Sequence, residues 1–429
     1  MKSKKLKKWT TLLTCATALT VMTACSQSSS QSTGTTSSTT SKTSAVTATT
    51  SKKTNKNNNS NSNYFTSKDS DTSYNESSAT KIKLSGSSAD VSGDGAALSG
   101  STVTISKAGT YVISGKSDGV QIKVDAGDSD DVHIVLDGAT MTNTNAAINA
   151  TKAGHVYLTL KDGTTNTLSD SSSNSDEDAD AVIFSKGDLT INGTGTLNID
   201  AKKNNGIKAN DSLHITGGTY KISSVGDAFN VNDELNITGT TMTIEAEEDG
   251  VKVDNDDDTS VGTMYLSDNT MTIKAGDDGI HASGDLIIDS GTYKVEKSTK
   301  GIEGKSVTIN GGDIDVYATD DGVNAANANA SQSEIFFKMT GGTLNVEVGQ
   351  GDTDPIDSNG DIIVSGGTIN LTGQSGFAFD GSATYTGGDI TINGEKQTKI
   401  ENSMPGGGGP QGGGGPQGGG QSGGFGGGH

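Results

Sequence analysis

A repeat of about 22 residues constrains this chain more than any other feature. One copy, from Asp277, reads DDGIHASGDLIIDSGTYKV, and relatives begin at Asn204 (NNGIKANDSLHITGGTYKI), Gly226 (GDAFNVNDELNITGTTMTI) and Thr299 (TKGIEGKSVTINGGDIDV). A small residue before the first aliphatic marks each unit, at Ala181, Gly206, Ala228, Gly250, Gly279, Gly301, Gly322, Pro355 and Gly376. Most steps are 21 or 22 residues, three are longer, and weaker copies start at Gly119 and Ala147. A unit this short cannot bury a core alone. It must stack on its neighbours.

Within a unit the apolar residues alternate with polar ones. In the last segment the aliphatic pairs are Leu197/Ile199, Tyr220/Ile222, Met242/Ile244, Met271/Ile273, Tyr293/Val295, Ile314/Val316 and Leu344/Val346, each pair flanking a polar residue. A period of two means strands with one buried and one wet face, and no segment sustains the 3.6 period of a helix. Three short strands per unit predict an all-β right-handed parallel β-helix, about eleven units forming a rod ~50 Å long. Leucine-rich repeats share the period but not the Leu/Asn spacing, and the GGxGxD unit of calcium-binding rolls does not recur.

The ends have another character. Five Lys in the first eight residues precede a modest apolar run that ends in Val21-Met22-Thr23-Ala24-Cys25. Residues 1–25 therefore read as a lipoprotein signal peptide with Cys25 the lipidated residue; ordinary cleavage beside an incidental Cys is the alternative. Residues 26–80 are rich in Ser, Thr, Asn and Lys and predict a disordered linker. Residues 402–429 repeat PQGGGG-type sequence and predict a disordered tail. The folded unit is expected over 81–401. Such a protein would be extracellular, held to the outer face of the cell membrane only by its lipid.

Composition removes several function classes. All 31 basic residues are Lys, and Cys15, Cys25 and Trp9 are the only residues of their kinds. A disulfide scaffold, a thiolate metal site and arginine-clamped phosphate chemistry are excluded. Residues 81–429 carry 21 Lys against 49 acidic groups. Such a surface repels nucleic acid.

Stacking places equivalent residues in columns. Just before the marker stand Asp118, Ala146, Asp180, Asn205, Asp227, Asp249, Asp278, Lys300, Asp321, Asp354 and Ser375, and one residue earlier Glu248, Asp277 and Asp320. Carboxylates ~4.8 Å apart repel by roughly 1 kcal/mol in water. Calcium, taking six to eight oxygens, would relieve this, so Asp227, Glu248, Asp249, Asp277, Asp278, Asp320 and Asp321 are candidate Ca2+ ligands. An Asp-Gly turn needs no metal and is the competing explanation. The runs Asp254–Asp258 and Asp176–Asp178 read equally as solvated charge. Lys300, between Asp278 and Asp321, either neutralises the column or acts as a general base beside bound calcium, with Lys208 and Lys252 as weaker candidates. Tyr220 and Tyr293 fall in the buried phase, whereas Tyr265, Tyr317 and Tyr385 have the phase for exposure. His214 and His281 read as ordinary surface histidines.

The whole pattern resembles the carbohydrate-binding domain-containing proteins of Gram-positive bacteria: the lipoprotein-like start, the Ser/Thr linker, repeats of DDGI-x-A-x-G-x-L-x-I-x-x-G-T-Y and the PQGGGG tail. The resemblance covers about 110–395. It implies a calcium-bound parallel β-helix, akin to pectate lyases and to a clostridial relative that binds cellulose and pectic polysaccharides, with the DDG carboxylates as calcium ligands. The expected function is extracellular polysaccharide binding, cellulose- or pectin-type. A calcium-dependent pectate-type lyase using Lys300, or a non-catalytic surface spacer or adhesin, are the alternatives.

Overall fold

The computed structural model describes residues 63–403 apart from positions 256, 257, 259 and 352. These residues belong to one compact unit, Asn57–His429; the other, Met1–Lys56, lies outside them, as do the expected signal peptide, Cys25 and the Gly-rich tail from 404. The fold is all-β. The described residues form 36 strands joined in one mostly parallel hydrogen-bonded system that does not close into a barrel, with a 3-10 turn at Gln332–Glu334.

From the unit at Ala181 onward, strands pair with the equivalent strand of the next unit. A first ladder runs through Ala181–Ser185, Asn205–Ala209, Phe229–Val231 and Val251–Val253, with Ile183, Ile207, Phe229, Val251, Ile280, Ile302, Val323, Ile356 and Phe377 in register. A second runs through His155–Leu160, Leu189–Gly193, Ser212–Thr216, Glu234–Thr238 and Thr263–Ser267. A third aligns Leu197, Tyr220, Met242, Met271, Tyr293, Ile314, Leu344, Ile369 and Ile390. The alternation read from the sequence is the observed one. Apolar residues of all three ladders merge into one buried cluster from Ile82 to Ile390.

The marker residue is small because of close backbone approach. A Cβ on Gly301 would lie 2.2 Å from Val316 Cγ1 and 2.3 Å from the Gly322 carbonyl oxygen. Tyr220 and Tyr293 are core residues as expected, their hydroxyls donating to the carbonyls of Gly217 and Ser290 at 3.0 and 2.8 Å.

Two features depart from the sequence reading. Antiparallel pairs close the system: Thr80–Gly86 with Ser88–Ser92, Ala96–Ser99 with Thr102–Ile105, and Asp389–Ile392 with Glu395–Gln397. Such pairs blunt edges that would otherwise recruit another strand. The second departure corrects the linker boundary. Residues 63–79 are not structureless but lie on the outward side of the second ladder, with Asp69 buried there. The expectation failed because polar side chains of the ladder hold this segment's backbone carbonyls and Tyr64 stacks on Tyr265, contacts that hydrophobicity does not report.

Candidate functional site

Along the first ladder two polar columns face each other. The residues before the markers stack as expected: the amides of Gly206, Gly250, Gly279, Gly301 and Gly322 donate to the carbonyls of Asp227, Asp278, Lys300, Asp321 and Asp354 at 2.9–3.0 Å. The side chains add a second link. Asp227 Oδ1 accepts the Asp249 amide at 2.9 Å, Asp249 Oδ1 the Asp278 amide at 2.8 Å, and Asp321 Oδ1 the Asp354 amide at 3.0 Å. Each of these Asp residues caps the adjoining repeat.

The facing column lies three residues later: Asn230, Lys252, His281, Glu303, Asn324 and Asp357 in register. Asn230 Nδ2 donates to Asp227 Oδ2 at 2.5 Å, and Lys252 Nζ lies 2.9 Å from Asp249 Oδ2. His281 Nδ1 lies 3.0 Å from Asp278 Oδ2 and 3.6 Å from Glu303 Oε1. In the next repeat the polarity reverses, with Lys300 Nζ paired to Glu303. Burial pushes the carboxyls of Asp227 and Asp278 up. Burial opposes the charge on His281, but the hydrogen bond to Asp278 and the Glu303 charge outweigh it and raise its pKa. His281 is thus a half-buried ion-pair partner, not an ordinary surface histidine.

Two sets of side chains, Asp249–Asp277–Asp278 and Asp278–His281–Glu303, bring potential metal-ligating atoms within 4.8 Å of one another. The first is all oxygen, the donor set calcium favours. Asp278 is 5 % exposed and its Oδ1 has no hydrogen-bond partner, so a buried acceptor there is free for an ion. Glu248 is exposed, its pKa raised by partial burial and by Asp227 and Asp249. Among the described residues Asp320 and Asp321 join no such set. His281 and Glu303 were missed as potential ligands; the i, i+3 spacing from Asp278 and Lys300 was the available signal.

Lys300 sits between Asp278 and Asp321 in the column. Burial alone would lower its pKa, yet the Glu303 hydrogen bond and the charges of Glu303, Asp278 and Asp321 raise it. An ammonium so held neutralises charge and resists giving up a proton. Lys208 and Lys252 are likewise paired, with Asp180 and Asp249.

The third ladder presents a different surface. Lys294, Asp315, Asn345, Asn370 and Thr391 follow one another in register on its outward side. Asn345 Nδ2 donates to Asp315 Oδ1 at 2.7 Å, Asn370 Nδ2 to Asn345 Oδ1 at 2.8 Å, and Thr391 Oγ1 to Asn370 Oδ1 at 2.7 Å. Lys294, Asp315, Asn345 and Asn370, with Tyr317 and Glu347, line a shallow depression of about 670 Å³. Tyr317, at 38 % exposure, is the one exposed Tyr or Phe among the described residues. Tyr265 is a correction: it is buried, because Tyr64 stacks on it. His214 is another, its Nε2 lying 2.9 Å from Glu234 Oε1 and its Nδ1 3.3 Å from Asp69 Oδ1.

A family model described as carbohydrate-binding domain-containing protein matches residues 99–354 and 280–408. The chain belongs to that family. A carbohydrate-binding domain-containing protein of Acetivibrio thermocellus is 37 % identical over 137 residues, 30 % of this chain and 48 % of the relative. The match spans about half the length of that relative. A solved structure, the gadolinium derivative of a polysaccharide lyase-like protein from C. thermocellum, is similar at 24 % identity with a TM-score of 0.43, covering 74 % of this chain and 95 % of that one.

In this carbohydrate-binding-domain chain the least compensated point of the polar columns is Asp357. Its Oδ1 has no hydrogen-bond partner, and burial followed by the charges of Asp321 and Asp354 pushes its pKa up to about 7. An Asp whose pKa is raised by folding favours the folded state while protonated, and loses that advantage as pH rises from about 4 through 7. Asp357→Asn, neutral and of equal size, removes the loss. In chelator the variant should melt above the wild type at pH 8, with a markedly smaller gain at pH 5, as read by calorimetry at the two pH values.

Proposed function

We propose that this protein binds polysaccharide along the outward side of the third ladder, with Tyr317 as platform. The family supports carbohydrate as the partner class. The observation that carries the location is an exposed aromatic ring beside a row of Asp, Asn and Lys side chains repeating from unit to unit. A pyranose ring packs its C–H face on an aromatic face, and amide and carboxylate groups spaced along a ladder match hydroxyls spaced along a glycan. With an acidic surface overall, a neutral glucan of the cellulose type suits this side, and a pectic chain would need a cation to meet it.

In this reading the three ladders are the faces of a parallel β-helix. Right-handed winding is inferred because nearly all parallel crossovers take that hand. Calcium is assigned to Asp249, Asp277 and Asp278, where it would neutralise adjoining carboxylates. We assign the chain to the outer face of the cell membrane, anchored through Cys25. A lyase reaction at Lys300 receives no support from its raised pKa and its ion pair.

Tyr317→Ala should weaken retention on insoluble cellulose about tenfold, since an aromatic platform contributes on the order of 1 kcal/mol beyond its buried area. An affinity pull-down measures it, with equal melting temperatures of variant and wild type as the folding control. Retention of both proteins alike would remove the site from this ladder; retention of neither on any glycan would leave the spacer reading.

Chelation tests the calcium assignment separately. An ion bound by the native state alone stabilises it by mass action. Excess calcium should raise the melting temperature of chelator-treated protein, and Asp278→Ala should abolish the increase. Calorimetry showing no calcium bound and no change in melting would leave Asp caps as the whole explanation of the column.

A further inference from the structure

Residues 63–79 run lengthwise over the second ladder, from Tyr64 at the Glu234–Thr238 and Thr263–Ser267 strands to Tyr74 at the Asp131–Thr142 strand. Six strands at ~4.8 Å spacing make this track about 24 Å long. The segment adds no residue to the hydrophobic cluster, which starts at Ile82, and its backbone–backbone hydrogen bonds are local (Asp69 to Thr66, Asp71 to Lys68, Ser78 to Asn75). Side chains hold it.

What it covers is a row of outward positions that strand alternation alone would leave wet. Thr190, Asn192, Asn236 and Tyr265 are nevertheless at most 1 % exposed. The face offers an aromatic platform and an array of donors. Tyr64 lies flat on Tyr265, with centroids 3.7 Å apart and planes at 8°. Asn236 Nδ2 donates to the Tyr64 carbonyl at 3.0 Å, Thr216 Oγ1 to the Asp69 carbonyl at 2.6 Å, and Asn192 Nδ2 to the carbonyls of Asp69 and Asp71 at 3.1 and 3.2 Å. Asp69 Oδ1 accepts from Thr190 Oγ1 at 2.8 Å and lies 3.3 Å from His214 Nδ1. That nitrogen makes no aligned hydrogen bond. The His214 charge is nonetheless maintained: burial opposes it, but Asp69 and Glu234 lift its pKa to about 9.

Lys68 of the segment pairs with Asp131 and lies 4.6 Å over the Tyr157 ring; toward Thr190, His214 and Tyr265 the segment presents a flat ring, a run of acceptor oxygens and one carboxylate along a linear track. A chain of uronic acid residues presents the same groups. We infer that the outward face of the second ladder, beneath residues 63–79, is a glycan site for uronate-bearing polysaccharide, occupied in the resting protein by its own segment. Tyr64 holds the place of a sugar ring on Tyr265, and Asp69 the place of a uronate carboxylate between Thr190 and His214. Displacing the segment exchanges one carboxylate for another, so the local charge is preserved even on an acidic protein. The inference rests on the polysaccharide-binding reading and narrows it, for this face, to uronates.

The test uses the full chain in chelator, so that calcium bridging is silent, with oligogalacturonate as probe and a cello-oligosaccharide as neutral control. The Tyr64→Ala/Asp69→Ala double variant should bind oligogalacturonate at least tenfold more tightly than wild type while its affinity for the cello-oligosaccharide stays the same. Adding His214→Ala should erase the gain. In wild type, saturating oligogalacturonate should speed hydrogen–deuterium exchange at the amides of 64–74. A folded double variant without gain, together with unchanged exchange, overturns the inference. Should the double variant fail to fold, wild-type exchange decides alone: unchanged rates overturn it and faster rates uphold it. Cellulose retention through Tyr317 alongside such a negative result would sink this site and leave the proposed function standing. Binding of no glycan by any protein would end both.

Discussion

The structure depends on one constraint: a backbone amide in one repeat must find its acceptor in an adjoining repeat. A parallel strand with no partner above or below it leaves a row of donors and acceptors unmet, each costing on the order of 1–3 kcal/mol if buried. A 22-residue unit answers by repeating its own hydrogen-bonding edge, so every unit both donates to and accepts from the units on either side of it. The Asp before the marker extends this from backbone to side chain. Asp227, Asp249 and Asp321 each supply an oxygen to the amide of the neighbouring repeat's equivalent residue. Low hydrophobicity is then no obstacle, because short aliphatic columns suffice when the polar backbone is fully paired.

The same stacking creates the electrostatic problem that shapes the candidate site. Repeating an Asp at ~4.8 Å intervals accumulates charge, and the facing column offsets it repeat by repeat: Lys252 beside Asp249, His281 beside Asp278, and the reversed pair Lys300 with Glu303. The compensation lapses at Asp354 and Asp357, where both positions are acidic. It is also incomplete at Asp278, whose Oδ1 lacks the amide that its counterparts receive.

Much of this was legible in the sequence because it is periodic. The marker residues, the Asp column and the alternating pairs from Leu197 to Leu344 recur on a base interval of about 22 residues with a few longer steps, and register follows once units stack. The contacts that escaped are aperiodic or distant. Asp69 meets Thr190 and His214 across more than 120 residues, and nothing in a Ser/Asn-rich stretch distinguishes Tyr64 from any other tyrosine. Tyr265 has the phase of an exposed residue and lies on the strand's outward side; a second segment covers it there. The Asp278–His281–Glu303 grouping lay within reach, since it needs only two columns three residues apart read together.

The central claim is that the column Asp serves as acceptor for the adjoining repeat, with its charge incidental to folding. Asp227 separates the two roles, because its Oδ1 caps the Asp249 amide and its Oδ2 accepts from Asn230. Thermal unfolding of Asp227→Asn and Asp227→Ala in chelator tests the claim most directly. The account predicts that Asn, which keeps the acceptor, melts at or above the wild-type temperature, while Ala, which orphans a buried amide, loses about 1–3 kcal/mol. Asn and Ala falling equally far below wild type would contradict it.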